Sequence, residues 1–204
     1  MEKEMSKNQK EYEVRLMLDE ERYFFIVTYY MNITPNKQFI QNANYYFDTT
    51  DLFLRHQHMT LRVRTINDVR SELTLKIKGE NGDDEINDGL SPQETELLIN
   101  KSIFPYGQVR NRLMALPYTL DKYHLIATLY NRRLEIECDD YLLVVDKNTY
   151  GDVVDYNLEI ESKISIAHAK EILKQYIEKF DLKVSKEKYH GKATRAIDQA
   201  VRNR

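Results

Sequence analysis

The sequence predicts an α+β fold in which eight antiparallel strands close into a barrel around a charged lumen. Two observations lead there. First, charged side chains recur at every second position in six separate stretches, and in a strand such residues share one face. The stretches are Glu11-Tyr12-Glu13-Val14-Arg15, Leu61-Arg62-Val63-Arg64, Leu75-Lys76-Ile77-Lys78, Glu94-Thr95-Glu96, Arg133 to Glu137, and Leu158-Glu159-Ile160-Glu161. Second, candidate strands follow one another in hairpin order with helices interspersed, which indicates an antiparallel sheet. About eight strands suit closure around one small ligand.

In chain order, 11–16 is the first strand. Asp19 caps a helix over 20–31, with Tyr23, Ile26, Val27, Tyr30 and Met31 at helical spacing. The stretch 37–48 is strand, and Thr50 or Asp51 caps a short helix to about His58. Strands 61–66 and 72–78 form a hairpin around Asn67-Asp68. Residues 79–92 read as an acidic, exposed loop, and 93–99 as a further strand. A helix lies within 102–115. Strand 124–138, the turn Asp139-Asp140, strand 141–147, a loop around Gly151 and strand 156–162 follow. Ser165 caps a helix to about Phe180, and a last helix runs from near Lys192 to Val201.

A chain of 204 residues with 42% hydrophobic content fits a single domain over 1–204. Residues 1–9 are expected to be disordered. Net charge is −3 and the pI about 6.0, which argues against a dedicated nucleic-acid binder. The one cysteine, Cys138, excludes an internal disulfide and a cysteine zinc cluster, and it reads as buried. Met1–Lys10 has no apolar signal-peptide core, and no run approaches the ~20 apolar residues of a membrane span, so a cytoplasmic protein with no membrane partner is expected.

The acids Glu11, Glu13, Glu94, Glu96, Asp146, Glu159 and Glu161 are oxygen ligands of the kind hard cations prefer, Mg2+ or Mn2+. Glu-x-Glu on a strand places two carboxylates about 7 Å apart on one side. The plain alternative is a solvated sheet face. The cations Arg15, Arg62, Arg64, Lys76, Lys78, Arg133, Lys192 and Arg195 would suit a polyanion such as a triphosphate. Their plain alternative is pairing with those glutamates. Neither a phosphate-cradling Gly-rich loop, a nucleophile elbow nor a zinc-protease motif occurs. His56 and His58 read as surface, and Tyr45-Tyr46-Phe47 as core.

Glu11-Tyr12-Glu13-Val14-Arg15 resembles the N-terminal Glu-x-Glu-x-Lys signature of the CYTH superfamily, the triphosphate tunnel metalloenzymes. The resemblance continues in order through Tyr46-Phe47-Asp48-Thr49, Leu61-Arg62-Val63-Arg64, Lys76, Glu94-Thr95-Glu96, Arg133, Val144-Val145-Asp146, Glu159-Ile160-Glu161 and Lys192 to Arg195. It implies a closed eight-stranded barrel with helices packed outside. It also implies that Arg62, Arg64, Lys76, Arg133 and Lys192 bind triphosphate, Arg133 rather than Arg132 being in phase with Glu135. Glu11, Glu13, Glu159 and Glu161 would hold metal, with Asp146 and Glu94 or Glu96 positioning water. Two positions depart: Arg15 stands where the signature has Lys, and position 96 varies among members. The resemblance implies a metal-dependent hydrolase of a triphosphate small molecule, inorganic tripolyphosphate first. The alternatives are a nucleoside or thiamine triphosphatase, a class IV adenylate cyclase, or a non-catalytic polyphosphate or nucleotide sensor. It leaves a homodimer open.

Overall fold

The computed structural model describes residues 12–34, 36–79, 84–184 and 190–203. Glu11, the N-terminal stretch 1–9 and Pro35 lie outside the described residues. Among the described residues, eight strands and six α-helices follow one another: β1 (Tyr12–Leu18), α1 (Glu20–Ile33), β2 (Ile40–Asp48), α2 (Phe53–His56), β3 (Met59–Ile66), β4 (Arg70–Ile77), β5 (Asp84–Leu90), α3 (Pro92–Lys101), α4 (Gln108–Met114), β6 (His124–Glu137), β7 (Tyr141–Tyr150), β8 (Val153–Ser162), α5 (Ile166–Phe180) and α6 (Lys192–Arg202). The strands form one eight-stranded sheet in the order β1-β8-β7-β6-β2-β3-β4-β5, so the α+β class and the strand number are as expected. Among the described residues β1 and β5 are the two ends of that order. No described helix is long and apolar enough to cross a membrane.

The chain divides into two compact units, one of residues 12–42 and 130–192, the other of 43–129 and 193–203. In the first unit, β1 pairs with β8 and β7 pairs with both β8 and β6, all antiparallel. Alternation splits these strands into two faces. Leu16, Leu134, Leu143, Val145, Leu158 and Ile160 pack with Tyr23, Ile26 and Tyr30 of α1 and Ala169, Tyr176 and Phe180 of α5. Each fully buried leucine here contributes about 1.5–3 kcal/mol. With the apolar face committed to those helices, the charged face is fixed on the opposite side, since a one-residue slip would exchange the two.

The second unit repeats the logic. Leu61, Val63, Leu73 and Leu75 of the β3–β4 hairpin pack with Leu98, Val109, Leu113, Phe47 and Tyr123. Arg62, Arg64, Glu72 and Lys76 are on the other face, in phase by register. Asn67 (φ 50°) and Asp68 (φ 56°) make the tight turn.

Several local expectations are corrected. Residues 93–99 are helix, part of α3, because Ser91 and Glu94 form a capping box and Pro92 opens the first turn. The fifth strand is instead β5, inside the stretch expected to be an acidic loop, and it pairs with β4. The short helix α2 is not capped by Thr50 or Asp51. Asp48 accepts from the amides of Leu54 (2.9 Å) and Arg55 (3.0 Å). Asp88 similarly accepts from Gln108 (3.0 Å) and Val109 (2.8 Å) at the start of α4. Gly107 gives it room, since a Cβ there would stand 2.3 Å from Asp88 Oδ2. Cys138 is half-buried rather than buried.

Candidate functional site

The first unit carries a set of interlocked acids and bases on its polar face. Register places Glu13 opposite Glu161 and Arg15 opposite Glu159 on β1 and β8, and Arg133 opposite Asp146 on β6 and β7. Asp146 is fully buried and Glu159 is 1% exposed, whereas the side chains of Glu13 and Glu161 are about a quarter exposed. The face therefore runs from an accessible acidic rim to a buried charged floor.

The floor is closed by direct contacts. Arg133 grips Asp146 in two-pronged fashion, Nε to Oδ1 at 3.0 Å and NH2 to Oδ2 at 3.0 Å. Its NH2 also donates to Glu159 at 3.2 Å, and its NH1 lies 3.5 Å from Glu135 and 3.7 Å from Glu161. Lys192, the first residue of α6, donates to Asp146 at 2.6 Å and Glu159 at 2.7 Å. Arg15 donates from Nε to Glu159 and from NH2 to Glu13. A guanidinium fork is the group that can hold two carboxylates this way.

These contacts decide the ionisation. Burial alone would raise the Glu159 pKa, but Lys192, Arg15 and Arg133 outweigh burial and the nearby Asp146 charge and lower it to about 2. Asp146 is likewise pushed up by burial and pulled well below the carboxylate range by Arg133 and Lys192. Both acids are anions at neutral pH. One oxygen each from Glu13, Glu159 and Glu161 lie within 4.8 Å of one another, a donor set that fits Mg2+ or Mn2+ with water completing the shell. Arg132, whose place relative to Arg133 the sequence resolved only by phase, stacks on Phe39 at 3.7 Å and leaves the polar face to Arg133.

The second unit carries a basic set. Arg62 and Arg64 share Glu72 at the loose distances of 3.8 and 3.9 Å. Arg62 Nε is buried and, among the described residues, has no hydrogen-bond partner. An arginine donor left in that condition is costly unless a ligand acceptor meets it. Lys76 pairs with Glu85 at 3.2 Å, and burial of Glu85 is outweighed by Lys76, Arg62 and Arg64, which lower its pKa. Asn44 accepts from Arg64 Nε at 3.1 Å.

Not every predicted residue joins these sets. Glu94 and Glu96 lie on α3, where residues two apart do not share a face. Glu94 is occupied by the Ser91 cap, with 2.8 Å bonds to its amide and hydroxyl. Lys78 is exposed beyond the end of β4. Arg195 is half-buried on α6. Glu72, Glu85 and a row of buried asparagines were missed, although Asn131, Asn148 and Asn157 continue the same period-2 pattern as Arg133, Asp146 and Glu159.

A model of the CYTH domain matches residues 9–192. YjbK of Bacillus subtilis, by its name a candidate triphosphatase, is 33% identical over 126 residues, which are 62% of this chain and 64% of YjbK. The match thus spans just under two thirds of that relative. Among solved structures, a candidate adenylate cyclase from Bacillus halodurans superposes with a TM-score of 0.80 at 26% identity, covering 92% of this chain and 97% of the other. HpAC1 from Hippeastrum, described as a candidate adenylyl cyclase with a dominant triphosphatase activity, gives 0.71 at 18% identity over 87% and 92% of the two chains, and shows the fold alone. With a family model covering the strands that carry both charged sets, the chain belongs to the CYTH domain family.

Proposed function

We propose that this chain is a metal-dependent triphosphatase whose substrate is inorganic tripolyphosphate. The observation that carries the reading is the trio Glu13, Glu159 and Glu161, with oxygens within 4.8 Å, set beside Arg15, Arg133 and Lys192. A solvated sheet face does not bury ionised acids with three bases around them. The triphosphatase name borne by YjbK points the same way.

Glu13, Glu159 and Glu161 would hold Mg2+ or Mn2+. A divalent cation held there would neutralise phosphate charge and polarise the phosphoanhydride. The remaining work belongs to the chain's own groups. Phosphoryl transfer asks chiefly for positioning and charge neutralisation. Arg62, Arg64 and Lys76 would bind phosphate oxygens, and the unpartnered Arg62 Nε is a donor ready for one. Arg133 NH1, the nitrogen not committed to Asp146, would donate to phosphate at the rim. Asp146 is assigned to holding Arg133 and Lys192, because it bonds both bases and stands outside the trio of acids whose oxygens gather within 4.8 Å.

The test is phosphate release from tripolyphosphate, ATP, GTP and thiamine triphosphate with Mg2+ and with Mn2+. Fastest turnover on tripolyphosphate supports the reading. Cyclic AMP formation from ATP in place of orthophosphate release would replace it with a cyclase.

A further inference from the structure

We propose that four buried asparagines, Asn42, Asn131, Asn148 and Asn157, are positioning residues that hold Asp146, and through it aim Arg133. They form a file of side-chain amides within the first unit. Asn42 Nδ2 donates to Asn131 Oδ1 at 2.9 Å, Asn131 Nδ2 to Asn148 Oδ1 at 3.0 Å, and Asn148 Nδ2 to Asn157 Oδ1 at 2.8 Å. Asn157 Nδ2 completes the file at Asp146 Oδ2, 3.5 Å away. All four are at most 6% exposed.

The direction of the file follows from chemistry. A carboxylate only accepts, so the amide group facing Asp146 must be the donor end of Asn157. Asn148 Nδ2 also donates to Asp155 Oδ1 at 2.9 Å, whose other oxygen accepts from the Tyr150 hydroxyl at 2.5 Å. Both Asn148 hydrogens are then committed, and its oxygen can only accept from Asn131. Asn148 and Asn157 are thus locked in one orientation between Asp155 and Asp146, and Asn131 and Asn42 follow in series behind Asn148. Bonds in such a chain polarise one another toward the anion.

Stability alone does not account for this row. The opposite face of the same strands is apolar, and a buried polar network is often no more stabilising than a hydrophobic one of equal volume. What the file does supply is a single orientation for Asp146, whose oxygens also take Arg133 Nε and NH2 and Lys192 Nζ. With those two guanidinium nitrogens fixed, Arg133 NH1 points toward Glu135 and Glu161. Resting on the triphosphatase reading, the file sets phosphate affinity at Arg133 without touching phosphate.

The experiment compares wild type with Asn157→Leu, which keeps the forked outline of the side chain and removes the donor. Calorimetric titration with tripolyphosphate should give a Kd at least tenfold weaker, with the melting temperature within a few degrees. In an Asp146→Asn background the same substitution should cost less than twofold, because its route of action is already broken. An unchanged Kd, or losses that multiply in the double variant, overturns the proposal. Should Asn157→Leu fail to fold, Asn42→Leu at the far end of the file is expected to weaken binding about threefold in wild type and not in Asp146→Asn. Arg133 Nε–H exchange, followed by NMR without ligand, should accelerate at least tenfold in either leucine variant. If wild type does not bind tripolyphosphate, the function reading fails, and that exchange rate still decides the file: no acceleration rejects it.

Discussion

Replacing Glu159 by Gln tests the buried floor by stability rather than by turnover. The carboxylate is 1% exposed and accepts from Arg15 Nε, Arg133 NH2 at 3.2 Å and Lys192 Nζ at 2.7 Å. Glutamine keeps the shape and one acceptor, but it turns an amino group toward cationic donors. Removing one partner of a buried ion cluster costs about 3–5 kcal/mol. For a domain of this size each kcal/mol moves the melting temperature by about 2–4 °C, so a fall of about 6–20 °C is expected in EDTA. Glu161→Gln is the internal control. Its side chain is 27% exposed and its contact with Arg133 spans 3.7 Å, so the expected cost is about 1 kcal/mol or less. Differential scanning calorimetry of the three metal-free proteins gives the answer. Equal melting temperatures for Glu159→Gln and wild type, or equal losses for the two variants, would refute the floor as drawn.

Three further outcomes are expected. Arg62→Ala removes a buried donor that lacks a partner, so the ligand-free melting temperature should hold or rise while the stabilisation by tripolyphosphate shrinks. At a hundredfold excess over Kd that stabilisation is about 2.7 kcal/mol in wild type, and an undiminished shift in the variant would count against phosphate binding there. Acid should destabilise the metal-free protein: Glu159 is depressed from 4.5 to about 2 by its bases, so its contribution is complete above pH 4.5 and is lost as pH falls toward 2. That is roughly 3 kcal/mol in urea titrations, largely absent in Glu159→Gln, and stability rising on acidification would contradict it. Arg15 clamps Glu13 and Glu159, so Arg15→Lys should retain activity within about tenfold. The rising limb of its pH–rate profile should follow an exchange of Mg2+ for Mn2+; a limb that moves only with the position-15 substitution would make that residue the base.

What the sequence disclosed, and where it misled, follows from how each signal arises. Glu13 with Arg15, Arg62 with Arg64, and Glu159 with Glu161 flank apolar residues, Val63 and Ile160 buried and Val14 half-buried, so period and burial agree and the polar face was readable. Glu94-Thr95-Glu96 is too short for its period to separate strand from helix. The decisive signal was upstream in Ser91-Pro92 with Glu94, a capping box. β5 was hidden because Asp84–Leu90 is rich in Asp, Glu, Asn and Gly, poor strand formers that pairing with β4 overrides. That error also concealed Glu85, the partner of Lys76. The asparagines escaped notice because amides in a sequence suggest turns, and their value here depends on neighbours contributed by other strands.

The most direct measurement of the central claim is orthophosphate release from tripolyphosphate by wild type and Glu161→Gln, each in Mg2+, in Mn2+ and in excess EDTA. Glu161 is, with Glu13, one of the two partly exposed members of the carboxylate trio, so its loss leaves the fold standing while removing one of the three oxygens within 4.8 Å. The account predicts release by wild type with either metal, none in EDTA, and at least a hundredfold lower rate in Glu161→Gln, whose metal-free melting temperature stays within about 4 °C of wild type. Turnover that persists in EDTA, or a fully active Glu161→Gln, would contradict it.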